Sequence, residues 1–221
     1  MSRDSALVEA TFGFVDLAGF SALTEVHGDE EAVHLLDRFE RIALGALGAD
    51  DRLVKMIGDA AMICFAGPSN AVAGTQRLIA ACMTEPSFPI PRAGLHHGPA
   101  RERGGDFIGN TVNVAARVAS QAAGGHALAT TKVAAAARQM GLGVVDLGCF
   151  DFRNLSERVE LFEIELYEAS DGIAIDPVCR MQVPRSHAAG QLRYDGTEHW
   201  FCSLTCAASF ANDPRRFTRP N

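Results

Sequence analysis

With 221 residues, 48% of them hydrophobic, the chain is long enough for one domain of ordinary size plus a small one, with apolar side chains enough for a real core. A formal net charge of -7 excludes the broad basic surface of a nucleic-acid binder or of a protein drawn to anionic membranes, so no nucleic acid and no membrane partner is expected. No apolar run approaches the ~20 residues of a membrane span, and Met1 to Glu9 lacks the basic start and apolar core of a signal peptide, so the expected compartment is the cytoplasm.

The apolar run Phe12 to Val15 predicts a buried strand that delivers Asp16 at its end, before a turn at Gly19. A strand-end aspartate by itself is as readily a turn former or helix cap as a cation ligand. The turn is expected to continue through Gly28 to an acidic helix start at Asp29-Glu30-Glu31, with Val33, Leu36, Phe39, Ile42 and Ala43 at helical spacing. Two short apolar runs then bracket Gly58-Asp59, which predicts a hairpin over Leu53 to Phe65 with Asp59 at its tip. A helix from about Asn70 to Met83 and a strand from Ile90 to His97 follow. After the Gly104-Gly105-Asp106 turn, small residues predict a helix through Val118, on which Asn113 and Arg117 are four apart and share a face. A short strand at Gly125 to Ala129, an alanine-rich helix from Thr131 to Met140 and a strand from Val159 to Leu166 close the pattern.

From Glu168 to Asp176 the chain reads as a polar linker, and a domain boundary is placed near residue 169, giving units 1–168 and 169–221. Cys64, Cys82 and Cys149 lie singly in apolar surroundings and read as small buried hydrophobes. Cys179, Cys202 and Cys206 crowd into the final segment, which is too small to fold easily on hydrophobic burial alone. His96 and His97 match no catalytic position, one being expected packed and the other exposed.

Taken in order, Phe14-Val15-Asp16 with Gly19-Phe20-Ser21, Lys55-Met56-Ile57-Gly58-Asp59, Gly105-Asp106-Phe107-Ile108-Gly109 and Val112-Asn113-Val114-Ala115-Ala116-Arg117 resemble the signature of class III nucleotidyl cyclases, over roughly residues 8 to 167. The resemblance implies an α+β fold with a ferredoxin-like βαββαβ core. It also implies a homodimer with shared active sites, and conversion of ATP to 3′,5′-cyclic AMP and pyrophosphate. Asp16 and Asp59, with Leu17 beside them, correspond to the site for two Mg²⁺ or Mn²⁺ ions, which serve both the attacking 3′ oxygen and the departing phosphates. Lys55 and Asp106 correspond to the base-selecting pair: a donor beside an acceptor suits adenine N1 and N6, whereas guanine wants the reverse. Asn113 and Arg117 match the pair that orients the ribose and offsets charge at the α-phosphate. The Gly19-Phe20 turn corresponds to a seat for the outer phosphates, and Arg153 falls where the family often has a triphosphate lysine. Guanylate cyclase is the alternative of the same class. A cyclase-like dimer serving as a non-catalytic scaffold for a metal sensor is the alternative of another class.

Asp176-Pro177-Val178-Cys179, Tyr194-Asp195-Gly196, Trp200-Phe201-Cys202 and Cys206 resemble the YHS domain, related to the metal-sensing TRASH modules, over about residues 174 to 217. Arg180 stands where YHS sequences usually have Gly. The three thiolates suit Zn²⁺ or Cu⁺, with His199, His187 or water open as a fourth ligand. The cluster reads as a zinc staple for a small fold, as a regulatory metal or redox sensor, or as a group of cysteines that binds no metal.

Overall fold

The computed structural model describes residues 5–153, 155, 157–167 and 171–218. The larger unit runs β1 (Ala6–Leu17), α1 (Phe20–His27), α2 (Asp29–Ala46), β2 (Arg52–Ile57), β3 (Ala60–Phe65), α3 (Pro68–Thr84), β4 (Pro91–Arg103), β5 (Asp106–Ile108), α4 (Asn110–Gln121), β6 (Ala127–Ala129), α5 (Thr131–Gln139), β7 (Val144–Phe150) and β8 (Val159–Ile164). Its sheet has the order β2-β3-β1-β4-β6-β8-β7, with β5 paired to β4. The segment from β1 to β4 is the expected βαββαβ unit, its first crossover made of two helices, and β6, β8 and β7 extend the sheet beyond β4.

Period-two alternation of β1 explains how one strand serves two cores. Val15 and Leu17 point to one face, where Leu35 and Phe39 of α2, Leu78 of α3 and Val133 of α5 bury them. Phe12 and Phe14 point to the other, against Phe107 and Ala115 and Ala119 of α4. The same parity puts Asp16 on the α4 face. A central strand covered on both faces reads as a continuous apolar run, which is what Phe12 to Val15 displayed.

Helix α4 lies directly on β4 because Gly94 leaves room for it. A Cβ on Gly94 would overlap the backbone N and Cα of Ala119. Gly94→Ala is therefore expected to lift α4 from the sheet at a cost of about 3 kcal/mol. Thermal melting should show Tm lower by about 6–10 °C.

Two elements depart from the sequence pattern. Residues 20–27 form α1 rather than a turn: Gly19 starts the helix at φ 73°, Gly28 ends it at φ 88°, and Leu23 alone within it is fully buried. Phe20 and Val26 pack beside it but are only partly buried, and eight residues span too little chain for the periodicity to stand out. Strand β7 was also missed, since it is an edge strand whose residues are all exposed or half-buried.

The C-terminal unit pairs β9 (Ile173–Ile175) with β10 (Gln182–Pro184) and forms a hairpin from β11 (Gly190–Tyr194) and β12 (Thr197–Phe201). The hairpin turns at Asp195 and Gly196, both at positive φ, the Asp-Gly geometry that matches strand twist. Helices α6 (Leu204–Asn212) and α7 (Pro214–Thr218) follow, and Ser203 caps α6 by accepting from the Cys206 amide at 3.1 Å. This unit is fused to the larger one by direct packing. The Ile90 amide donates to the Arg180 carbonyl, the Gln182 amide donates to the Phe88 carbonyl, and Gln182 Nε2 donates to the Cys82 carbonyl. Val178, Met181, Phe201 and Phe210 share the core that holds Leu23 and Phe88. The boundary placed near residue 169 falls on residues 168–170, outside the described residues.

Candidate nucleotide site and cysteine cluster

At the end of β1, Asp16 faces Ala60 of β3 on one side and Arg92 of β4 on the other. Arg92 grips Asp16 through both carboxylate oxygens, Nε to Oδ1 at 2.6 Å and Nη2 to Oδ2 at 3.1 Å. This bidentate bond raises the Arg92 pKa. Asp59, at the β2–β3 tip, has its carboxyl pKa raised, first by burial and then, after an opposing backbone hydrogen bond, by the charge of Asp16. Two carboxylates near enough to resist each other's charge, with a guanidinium neutralising one of them, make a donor set fit for hard divalent cations. Leu17 has its side chain in the core, so only its backbone could face such an ion.

Gly19 adopts its left-handed conformation immediately beyond. A Cβ there would overlap Cγ of Arg180, which reaches over the turn from the C-terminal unit. Arg180 itself sits at φ 61°, a costly conformation for a side chain other than Gly, Asn or Asp. Gly19, Arg92, Gly124, Arg180 and Arg216 line one cavity of about 550 Å³. Neither Arg92 nor the reach of Arg180 over the Gly19 turn follows from the sequence pattern. The legible signals were a charge near the start of the strand after Pro91 and an arginine in place of glycine after Cys179.

The other predicted residues lie on β2, on β5, on α4 and in the loop that follows β7. Lys55 of β2 and Asp106 of β5 form an ion pair, with both side chains about two-fifths exposed. Lys55 holds the Asp106 carboxyl below its ordinary range, helped by the Phe107 amide. On α4, Asn113 is exposed, and Arg117 donates to the backbone carbonyl of Arg153. Arg153 is thus brought to Arg117, with its side chain exposed. Among the described residues no hydrogen bond or ion pair joins the Lys55–Asp106 pair to Asp16 or Asp59.

His96 and His97 are both half-buried and bonded, to Thr130 at 2.7 Å and Thr11 at 2.9 Å, so the expected exposed member does not exist. Burial pushes the His96 pKa down to about 4. Both line a cavity of about 770 Å³ that includes none of Lys55, Asp106, Asn113, Arg117 or the two aspartates.

The three C-terminal cysteines converge, as their grouping suggested, but their fourth neighbour is His27, at the end of α1. His199 is stacked on Phe210 with ring centroids 4.7 Å apart, and His187 is exposed and bonded to Ser186. Sequence reasoning missed His27 because it lies 152 residues before Cys179, on the helix that was not recognised.

The larger unit has the fold of nucleotidyl cyclase catalytic domains. The adenylyl cyclase CyaB from P. aeruginosa superposes with a TM-score of 0.61 at 20% identity, covering 76% of this chain and 98% of that one. In sequence, the chain is 36% identical over 125 residues to a pH-sensitive adenylate cyclase of Mycobacterium tuberculosis, which is 57% of this chain and 32% of that protein. It is 33% identical over 109 residues to an adenylate cyclase of Streptomyces coelicolor, covering 49% and 29%. The chain thus spans about a third of the length of these curated relatives. Residues 174–220 match the family model of the YHS domain. No helix among the described residues is long and apolar enough to cross a membrane.

Proposed function

We propose that the chain is a nucleotidyl cyclase that converts ATP to 3′,5′-cyclic AMP and pyrophosphate at sites shared between two copies. The observation that carries this reading is the convergence of Asp16 and Asp59 beside the Gly19 turn within a cyclase fold. Relatives named adenylate cyclase support the same direction.

Asp16 and Asp59 would hold Mg²⁺ or Mn²⁺, which supplies Lewis acidity at the phosphates and lowers the pKa of the ribose 3′ hydroxyl. Arg92 neutralises Asp16 in the metal-free protein and offers its charge to the triphosphate, where Arg180 and the backbone amides after Gly19 add donors. Lys55 donates to adenine N1 and Asp106 accepts from N6. Their ion pair keeps donor and acceptor side by side until the base enters. Asn113 orients the ribose, and Arg117, with Arg153 alongside, offsets charge developing as the 3′ oxygen bonds to the α-phosphorus and the bond to pyrophosphate breaks. GTP would leave both members of the Lys55–Asp106 pair mismatched, which is why ATP is the proposed substrate.

That the aspartates and the Lys55–Asp106 pair share no hydrogen bond or ion pair among the described residues agrees with a head-to-tail homodimer. One copy supplies the aspartates, and the other supplies Lys55, Asp106, Asn113 and Arg117. Ile57 beside the hairpin tip and Ile108 beside Asp106 are 47% and 56% exposed, apolar surface that a second copy would cover. Incubation of the purified chain with Mn²⁺ and either ATP or GTP tests the activity. Cyclic AMP and pyrophosphate should accumulate in equal amounts, with GTP turned over at least tenfold more slowly. Absence of both products from a folded dimer would favour the scaffold reading, and a faster reaction with GTP would reverse the base assignment.

A further inference from the structure

We propose that Cys179, Cys202, Cys206 and His27 form one tetrahedral centre for a zinc-like divalent cation, and that His27 makes it a clamp between the C-terminal unit and helix α1. The Sγ of Cys202 lies 3.4 Å from that of Cys179 and 3.7 Å from that of Cys206. His27 Nε2 is 3.6 Å from Cys202 Sγ and 3.7 Å from Cys206 Sγ. All four ligand atoms lie within 4.8 Å of one another. A tetrahedral ion with bonds of about 2.3 Å to sulfur and 2.0–2.1 Å to nitrogen requires edges of about 3.8 Å between sulfurs and 3.5 Å from sulfur to nitrogen. The observed separations fit that polyhedron. Four-coordinate S₃N geometry suits Zn²⁺ better than Cu⁺, for which fewer sulfur ligands suffice.

The ligand backbones are held independently of any ion. Asp176 is fully buried, its Oδ1 accepting from the Val178 amide and its Oδ2 from the Cys202 amide, both at 2.8 Å. Ser203 fixes the Cys206 amide. A carboxylate that ties the Cys179 knuckle to the Cys202 strand end orients two ligands at once, as outer-shell groups of metal sites do.

His27 changes what the centre does. The other three ligands lie within the C-terminal unit, so an ion held by them alone would be a local staple. The fourth ligand ends α1, and α1 begins at the Gly19 turn. Arg180, next to Cys179, lies over that same turn. One ion therefore fixes both the helix that opens from the turn and the side chain that covers it. This second consequence rests on the nucleotide reading above, whereas the ligand set does not.

The test uses the full chain, reduced and loaded with Zn²⁺ or Co²⁺. X-ray absorption of the zinc form should fit three sulfurs at about 2.3 Å and one nitrogen at about 2.0–2.1 Å. The cobalt form should show the intense visible bands of a tetrahedral thiolate site. His27→Ala should weaken zinc affinity at least tenfold in chelator competition, remove the nitrogen shell and speed amide hydrogen exchange in residues 20–27. His27→Cys should restore affinity with four sulfurs, and His199→Ala and His187→Ala should change nothing. An unchanged nitrogen shell in either His27 variant overturns the proposal, as does a reduced wild-type chain that takes up neither ion. Uptake of Cu⁺ alone, in a sulfur-only shell, overturns it equally. If His27→Ala fails to fold, the shell of His27→Cys decides. None of these readouts uses cyclase activity, so their failure leaves the nucleotide reading standing.

Discussion

Asp59→Asn should lower nucleotide turnover by about 10³-fold or more, a loss of about 4 kcal/mol of transition-state stabilisation, without destabilising the fold. In a two-cation reaction the attacking and departing oxygens both depend on the ions, and each ion depends on carboxylate charge at its seat. Asparagine keeps the shape of the hairpin tip but withdraws half of that charge. In the metal-free protein the same change relieves an unfavourable situation, because the Asp59 carboxylate is partly desolvated and repelled by Asp16. Calorimetric melts without divalent ions should show the variant as stable as the wild type or slightly more so. Adding Mn²⁺ should raise Tm in the wild type through linkage and raise it less in the variant. A variant that loses activity by unfolding, or that keeps most of its activity, would remove Asp59 from the metal site.

The parts of the molecule legible in its sequence are those where local pattern and tertiary role agree. Phe12 to Val15 is buried on both faces of the sheet, and so reads as an apolar run whose polar end, Asp16, stands out. Gly58-Asp59 between short apolar runs declares a hairpin, and the register confirms that Asp16 and the β3 residue after Asp59 are partners. Helix α1 was illegible because it is short, with Phe20 and Val26 only partly buried on either side of Leu23, and its limits are set by two glycines in unusual conformations rather than by side-chain caps. That omission hid His27, whose partners are brought to it by tertiary packing alone. Arg92 was hidden differently. Its meaning comes from the β1–β4 register, which sets it opposite Asp16, and no spacing along one strand encodes what lies on the next. Arg180 was noticed as a departure from the YHS pattern, but its target, the Gly19 turn, became visible only once the C-terminal unit was placed against α1. Lys55 and Asp106, 51 residues apart, owed their pairing in the sequence reading to family resemblance. Their ion pair gives that pairing a physical basis.

Asp59→Asn and Asn113→Ala chains, each inactive alone, should recover activity when mixed. Within one protomer Arg92 grips Asp16 at the end of β1, whereas Lys55 pairs with Asp106, and among the described residues no hydrogen bond or ion pair joins the two groups. In a symmetric dimer, an Asn113→Ala chain still offers an intact pair of aspartates, and an Asp59→Asn chain still offers Asn113 and Arg117. Each mixed dimer then holds one intact site and one doubly defective site. With random exchange about half of the dimers are mixed, so the mixture should reach about one quarter of wild-type activity per chain. Asn113 is exposed on α4 and Asp59 sits at a hairpin tip, so neither change should disturb assembly, and the dimer fraction can be followed by sedimentation alongside the assay. The decisive measurement is the rate of cyclic AMP formation from ATP and Mn²⁺ as the two variants are titrated against each other at constant total protein. The account predicts a curve that rises from the baseline of either variant to a maximum near the equimolar point. A flat curve from dimers shown to have exchanged would contradict a site shared between two copies.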